Sequence, residues 1–410
     1  MKRIQGLILL IAVLLSFITS CGEPRAEDLM DGIVRGRITP SENISAGADS
    51  AIDFSLSLLT MAGEDNGNVI LSPISVLSAL AMTANGASGE TLRQMENVFG
   101  MSASEMNEFM YSYLCYLPED EKARLSIAAS VWFSDSGRFS VSTDFLQRAK
   151  DYYGAHAYKA PFDRSTVRAL NSWVEENTLG MIDKVIDDIP EGTLMYLVNA
   201  VAFDGEWLIV YNEEDVYDSF FTCAEGERQE AEMMRSEESR YLEGDDYVGF
   251  VKSYKGGRFA FAALLPRDGI SPRELAGSLT GEGLRGALLS PTRANVRAHM
   301  PKFGSEFTMD LVDPLSEMGM SDAFSLERAD FSAIGESSEG NIYLSQGIHK
   351  AVIKVDERGT KAGAVTVFGA ADGSSEPEEI KEVRLDRPFL YMIFDTETGI
   401  PIFVGILSEL

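Results

Sequence analysis

Three histidines and three cysteines in 410 residues are few for a chain of this size. His156, His299 and His349 sit in no H-E-x-x-H or paired-cysteine context, so no metal site is expected and no cofactor is called for. No G-x-S-x-G is present, which removes the strained turn that exposes a serine nucleophile in one large class of hydrolases. Gly86-Ala87-Ser88-Gly89 lacks a following lysine and opens an amphipathic helix rather than a phosphate-binding loop. Asp65, Asp135 and Asp395 lie in glycine-containing turns, where turn chemistry explains them better than calcium does. These absences leave an enzyme reading without a site, and the expectation is that the protein is not one.

Positive charge is also scarce. Thirty-five Lys and Arg face 64 Asp and Glu, for a formal charge of -29. That balance opposes nucleic acid and anionic membrane surfaces as partners. Hydrophobic content of 45% with 24% charged residues is ordinary for a folded globular chain and predicts a sizeable core. Length alone would allow two or three domains, since single cores usually stop growing near ~250–300 residues.

The longest apolar run, Leu7 to Ile18, is short for a bilayer span and follows Lys2 and Arg3. It ends in Ile18-Thr19-Ser20-Cys21, which resembles a bacterial lipobox. The expectation is a lipoprotein signal over residues 1–20, with Cys21 acylated as the first mature residue. The alternative is an ordinary secretory signal with a chance cysteine. Residues 21–45 are polar, contain Gly and Glu, and show no period, so they read as a flexible tether. Cys115 and Cys223 remain; one disulfide between them is arithmetically possible, and Cys115 reads most simply as a packed small hydrophobe.

Helical spacing marks Ser50 to Met61, Glu90 to Phe99, Ala103 to Leu117, Thr143 to Tyr153 and Ser165 to Thr178, with Ser72-Pro73 as a further helix start. Strand candidates are Leu125 to Phe133, Leu194 to Phe203, Phe259 to Leu265, Asn295 to Met300, Asn341 to Val355, Pro388 to Phe394 and Ile400 to Leu407. Early helices followed by late strands point to an α+β domain.

Between the last of these strands lies a long stretch, Asp356 to Glu379, with no evident partner. Structureless stretches of that length inside a domain usually have a function or are disordered. Its first part argues for function: Gly359 to Val367 has no proline and is built of small or β-branched residues. Thr360, Ala362, Ala364 and Thr366 share one face at period two, and Lys361 falls on the other.

This stretch resembles the reactive-centre loop of a serpin, with Glu357, Gly359, Thr360, Ala362, Gly363 and Ala364 similar to the family's hinge. Other segments match in order: Asn68 to Ser75 running into Ala79 to Met82, Gly86 to Thr91, Asn171 to Val174 with Thr178, and Leu197 to Ala200 with Phe203, Gly205 and Trp207. Pro301-Lys302-Phe303, Ala329 to Ser332 and Asp386 to Phe389 follow. The resemblance covers roughly residues 46–410 as one domain, with the loop near 357–380, and implies three β-sheets with eight or nine helices.

It also implies a function: serine-protease inhibition by cleavage of the loop, covalent trapping of the acyl-enzyme and insertion of the loop into the central sheet. By the same resemblance, Ser72, Ser75, Asn199 and His349 match the shutter beneath that sheet, and Trp207, Lys302 and Glu357 match the breach at its top. Lys361 departs from the acidic residue usual at its place. Counting forward from Gly359 puts the cleavage residue at Gly373, whereas counting back from Pro388-Phe389 puts it near Pro377, so the loop is longer than usual. Val367-Phe368 would suit chymotrypsin-like proteases, Ala370-Ala371 elastase-like ones, and Asp372, before Gly373 and Ser374, an acid-specific one. With no Arg or Lys between Ala362 and Ile380, elastase-like or broad serine-protease targets are expected, with cysteine proteases as a further class. The expected partners are these proteases and a membrane reached through Cys21, and the expected form is a monomer on the bacterial envelope, at the outer membrane or cell surface. The alternative is a non-inhibitory serpin that binds or carries a ligand, suggested by Lys361, Gly363 and the lengthened loop with Glu376, Glu378 and Glu379.

Overall fold

The computed structural model describes residues 26–63, 66–118, 120, 122–137, 139–338, 341–360 and 379–410. Three sheets organise them. The largest buried runs form the nine-stranded sheet, where Phe259–Pro266, Phe389–Asp395 and Pro401–Leu407 are buried at every position. A strand with both faces covered must be apolar throughout, which is why these segments read as continuous hydrophobic runs instead of alternating ones.

Pro73–Ala84 lies between this sheet and the seven-stranded one, packed against Pro401–Leu407 and Met195–Glu206. Eleven of its residues are buried, as a helix apolar on all sides requires. Proline at its first turn forfeits no helical hydrogen bond. Elsewhere the helix starts are set by side chains: Ser102 with Glu105 and Ser271 with Glu274 form capping boxes, and Asp163 accepts from the backbone of Ser165 and Thr166.

The seven-stranded sheet runs in the order Glu27–Asp28, His156–Ala160, Ala123–Ser134, Met195–Glu206, Gly359–Thr360, Ile348–Val355, Phe303–Asp310. Within this sheet, among the described residues, only the pairing of Ala123–Ser134 with His156–Ala160 is parallel. A two-stranded sheet joins Phe139–Val141 to Gly335–Ser337, and nine α-helices complete the described chain.

Three expectations are corrected. Residues 26–44 do not hang free as a tether: their start pairs with the sheet edge, and later positions are bonded to the helices Thr143–Tyr153 and Ala103–Tyr116. Glu27 and Asp28 pair with Lys159 and Tyr158, Gly36 N–H donates to Asp151 Oδ1 at 2.6 Å, and the Tyr111 hydroxyl donates to the Ile38 carbonyl at 2.9 Å. Composition hid this because much of the binding is made by backbone groups, which carry no sequence signature. Cys115 is exposed, not packed, while Cys223 is buried; both thiols are free. Asn341 to Gly347 is not strand, and the strand begins at Ile348. The longest strand, Arg228–Glu243, carries so many charges on its exposed face that no apolar run announces it.

Candidate functional site: the top and middle of the seven-stranded sheet

The strand Ile348–Val355 ends in a tight turn. Asp356 Oδ1 accepts from Arg358 N–H at 2.9 Å, and Asp356 N–H donates to the Gly359 carbonyl at 3.0 Å. An aspartate that bonds its own backbone two residues on is a natural turn former. The chain therefore reverses into Gly359–Thr360, which sits between two strands: Thr360 is paired with Gly205 on one side and Val355 on the other. The approach is close. A Cβ on Gly359 would come within 2.0 Å of the Gly205 carbonyl oxygen, so only glycine passes here.

Thr360 is 2% exposed, and its hydroxyl lies 2.6 Å from that of Tyr254. Burial pushes the Tyr254 pKa well up against the smaller opposing effect of this bond, so the phenol stays protonated. Its ring stacks on Trp207 at 4.4 Å between centroids and 13° between planes. Trp207 in turn donates its indole N–H to the Asp356 carbonyl at 2.9 Å, and its backbone N–H to the Arg358 carbonyl at 2.9 Å. The turn and the first inserted residue are thus clasped from beneath by two fully buried aromatic rings.

Beside the turn, Lys302 Nζ lies 3.1 Å from Glu357 Oε2 and 3.1 Å from Glu232 Oε1. Burial works against the Lys302 charge, but hydrogen bonds with both carboxylates outweigh it and raise its pKa. Glu357 is held below its usual value by its own backbone N–H first and by Lys302 after burial's opposing effect. With 38% of the Glu357 side chain exposed, this pair belongs with surface pairs worth ~0–1 kcal/mol.

Below Thr360, Met195–Glu206 and Ile348–Val355 form no ladder with one another among the described residues; Gly359–Thr360 is what joins them. The polar residues under this parting form two hydrogen bonds. Asn199 Nδ2 donates to the Ser75 carbonyl at 2.7 Å, and Ser72 N–H donates to His349 Nε2 at 3.0 Å. His349 therefore uses a neutral ring nitrogen as acceptor. The buried Ser72 Oγ and Asn199 Oδ1 find no partner among the described residues, so the cluster holds hydrogen-bonding capacity in reserve.

Burial pushes the His349 pKa from 6.5 down to about 4. An unfolded chain binds more protons than the folded one between those values, so the stability is whole above pH 6.5 and is lost as pH falls toward 4. The loss is about 3 kcal/mol. His349→Gln is expected to flatten this part of the acid destabilisation, read as the change in denaturation midpoint between pH 7 and pH 4.5. His299, lowered to about 4 by burial and then by Arg384, leaves a residual slope. A variant as acid-sensitive as the parent would remove His349 from the account.

Of the hinge residues, Glu357, Gly359 and Thr360 lie as described. Ala362, Gly363 and Ala364, the candidate cleavage residues Val367, Phe368, Ala370, Ala371, Asp372, Gly373 and Ser374, and Cys21 lie outside the described residues. Sequence reasoning missed Tyr254, which stands in an unremarked turn before Gly256-Gly257. It also missed Lys252, a cation 2% exposed whose Nζ is 2.9 Å from Glu238 Oε1, 4.3 Å from the Tyr211 ring centre and 5.5 Å from that of Trp207.

The family profile Serpin (serine protease inhibitor) matches residues 49–410. An uncharacterized serpin-like protein of Thermococcus kodakarensis is 28% identical over 97% of each chain. Human antithrombin-III is 30% identical, over 83% of this chain and 76% of its own. The native state of the thermophilic serpin tengpin superimposes with a TM-score of 0.89 at 42% identity, covering 94% of this chain and all of the other, and its latent state with 0.79 at 40% identity, covering 92% and 100%. With that profile spanning residues 49–410, the chain belongs to the serpin family.

Proposed function

We propose that the protein inhibits serine proteases as a suicide substrate. A protease's own serine attacks a peptide bond of the loop after Lys361, forming an acyl-enzyme and freeing a new amine. The cut loop then inserts between Met195–Glu206 and Ile348–Val355 before water reaches the ester. The observation that supports this is Thr360, already seated between those strands and paired on both sides. Insertion continues a ladder that has begun, and Ala362 and Ala364 follow on the same face with little bulk.

On the same reading the targets are elastase-like or broadly specific serine proteases, with cysteine proteases as a second class. Cleavage falls between Val367 and Ser374, and Cys21 carries the acyl anchor that keeps a monomer at the bacterial envelope. Incubation with pancreatic elastase is expected to give a band of summed mass that survives denaturing electrophoresis. Cleaved protein without that band, across a panel of serine proteases, overturns the proposal. The carrier alternative is separated by heat: a loop-cleaved inhibitor melts far above the intact protein, whereas a carrier that cannot insert its loop gains little.

A further inference from the structure

The strands Arg228–Glu243 and Thr292–Pro301 place Arg240 and Arg293 directly opposite one another. Opposed like charges on paired strands destabilise a sheet. The register shifts between Arg293 and Val296, immediately beyond the pair. Bulges of this kind re-aim side chains and gather near binding sites. Both arginines line a groove of about 600 Å³.

The charges in this groove do not cancel. Glu238 is taken by Lys252 at 2.9 Å and Glu237 by Arg297 at 3.4 Å. Arg240 donates to Ser253 Oγ at 2.6 Å, but neither Arg240 nor Arg293 forms an ion pair among the described residues. Burial lowers the Arg240 pKa, and the nearby Glu238 charge only partly opposes it. In a chain with 64 acidic residues, two opposed arginines in a groove whose Glu237 and Glu238 are each paired to another cation leave room for an anion from outside. The opposite lip is apolar: Leu208 and Ile209 line the same groove and are 58% and 70% exposed. Leu208 N–H is fixed to the Ser253 carbonyl at 2.9 Å, so the lip is held at a set distance from the arginines.

We propose that this groove binds a small organic anion with an apolar body, a carboxylate whose head is forked by Arg240 and Arg293 and whose chain lies on Leu208 and Ile209. Titration calorimetry of the intact protein with decanoate, and separately with inorganic phosphate, tests both halves. Decanoate is expected to bind at one saturable site, and phosphate far more weakly. Arg293→Gln, at an exposed position, is expected to weaken decanoate by about tenfold or more. The unliganded variant should melt no lower than the parent, because a repulsion has been removed. Leu208→Ser with Ile209→Ser is expected to weaken decanoate as well. No saturable binding, equal binding by Arg293→Gln, or phosphate binding as tight as decanoate each overturns the proposal. These outcomes are independent of protease trapping, which the same variants are expected to retain.

Discussion

Thr360→Arg is expected to turn the protein from an inhibitor into a substrate. The wild-type side chain is enclosed by the Tyr254 hydroxyl and by strands on both sides, with 2% of its surface exposed. A guanidinium there would be buried without a carboxylate, which costs several kcal/mol even after relaxation. The cheaper course is for Gly359–Thr360 to leave the sheet, and insertion then meets the same penalty as a barrier. A barrier raised by about 3 kcal/mol slows insertion more than a hundredfold, while cleavage of the loop by the protease proceeds as before. On denaturing gels the band of summed mass should give way to cleaved protein, with the native fold preserved. Thr360→Ser retains the hydroxyl and should trap normally. Lys361→Arg, one residue on and on the other face, should also trap. If Thr360→Arg forms complexes as well as the parent does, the insertion reading fails.

Lys252→Met is expected to cause the largest loss of stability. It removes a cation that is 3% exposed at its side chain from a carboxylate, Glu238, that is 14% exposed. Breaking a buried pair by deleting one partner costs about 3–5 kcal/mol, because the surviving charge stays desolvated. It also removes the cation from above the Tyr211 and Trp207 rings. Glu238 keeps one hydrogen bond, from Ser236 Oγ at 2.8 Å, which is not enough to compensate for a lost counter-ion. The double variant Lys252→Met, Glu238→Gln should recover most of the loss, since no charge is then left buried. Denaturant midpoints of the two variants check both statements, and a double variant no better than the single one would show that packing, not charge, sets the cost.

The contrast between these two positions shows what can be read from residue order. Thr360 was legible because a strand's period of two sorts small residues to one face wherever the strand ends up. The apolar runs at Phe259–Pro266, Phe389–Asp395 and Pro401–Leu407 were legible because full burial leaves no polar alternation. His349, Asn199, Ser72 and Ser75 came from family resemblance and do meet, although 150 residues separate His349 from Asn199 and no local rule joins them. Tyr254 and Lys252 were not legible. Their roles depend on what lies across the sheet, Thr360 in one case and Glu238 with two rings in the other. The docked residues 26–44 escaped for a different reason, since their contacts run largely through backbone amides and carbonyls.

The register of the turn at Asp356–Gly359 reaches further than the two residues that follow it. Thr360 stands opposite Gly205 and Val355, and both neighbours run antiparallel to it. On the insertion reading, each residue entering afterwards would move one residue back along both flanking strands. Thr366, six places beyond Thr360, would arrive opposite Asn199, six before Gly205, and opposite His349, six before Val355. Partners across a ladder share a face, so its hydroxyl would come to rest between the amide and the imidazole, where Asn199 Oδ1 now has no donor. On the insertion reading the hairpin acts as a gauge: by fixing where the first threonine enters, it would bring the hydroxyl of the fourth side chain on that face to Asn199 and His349.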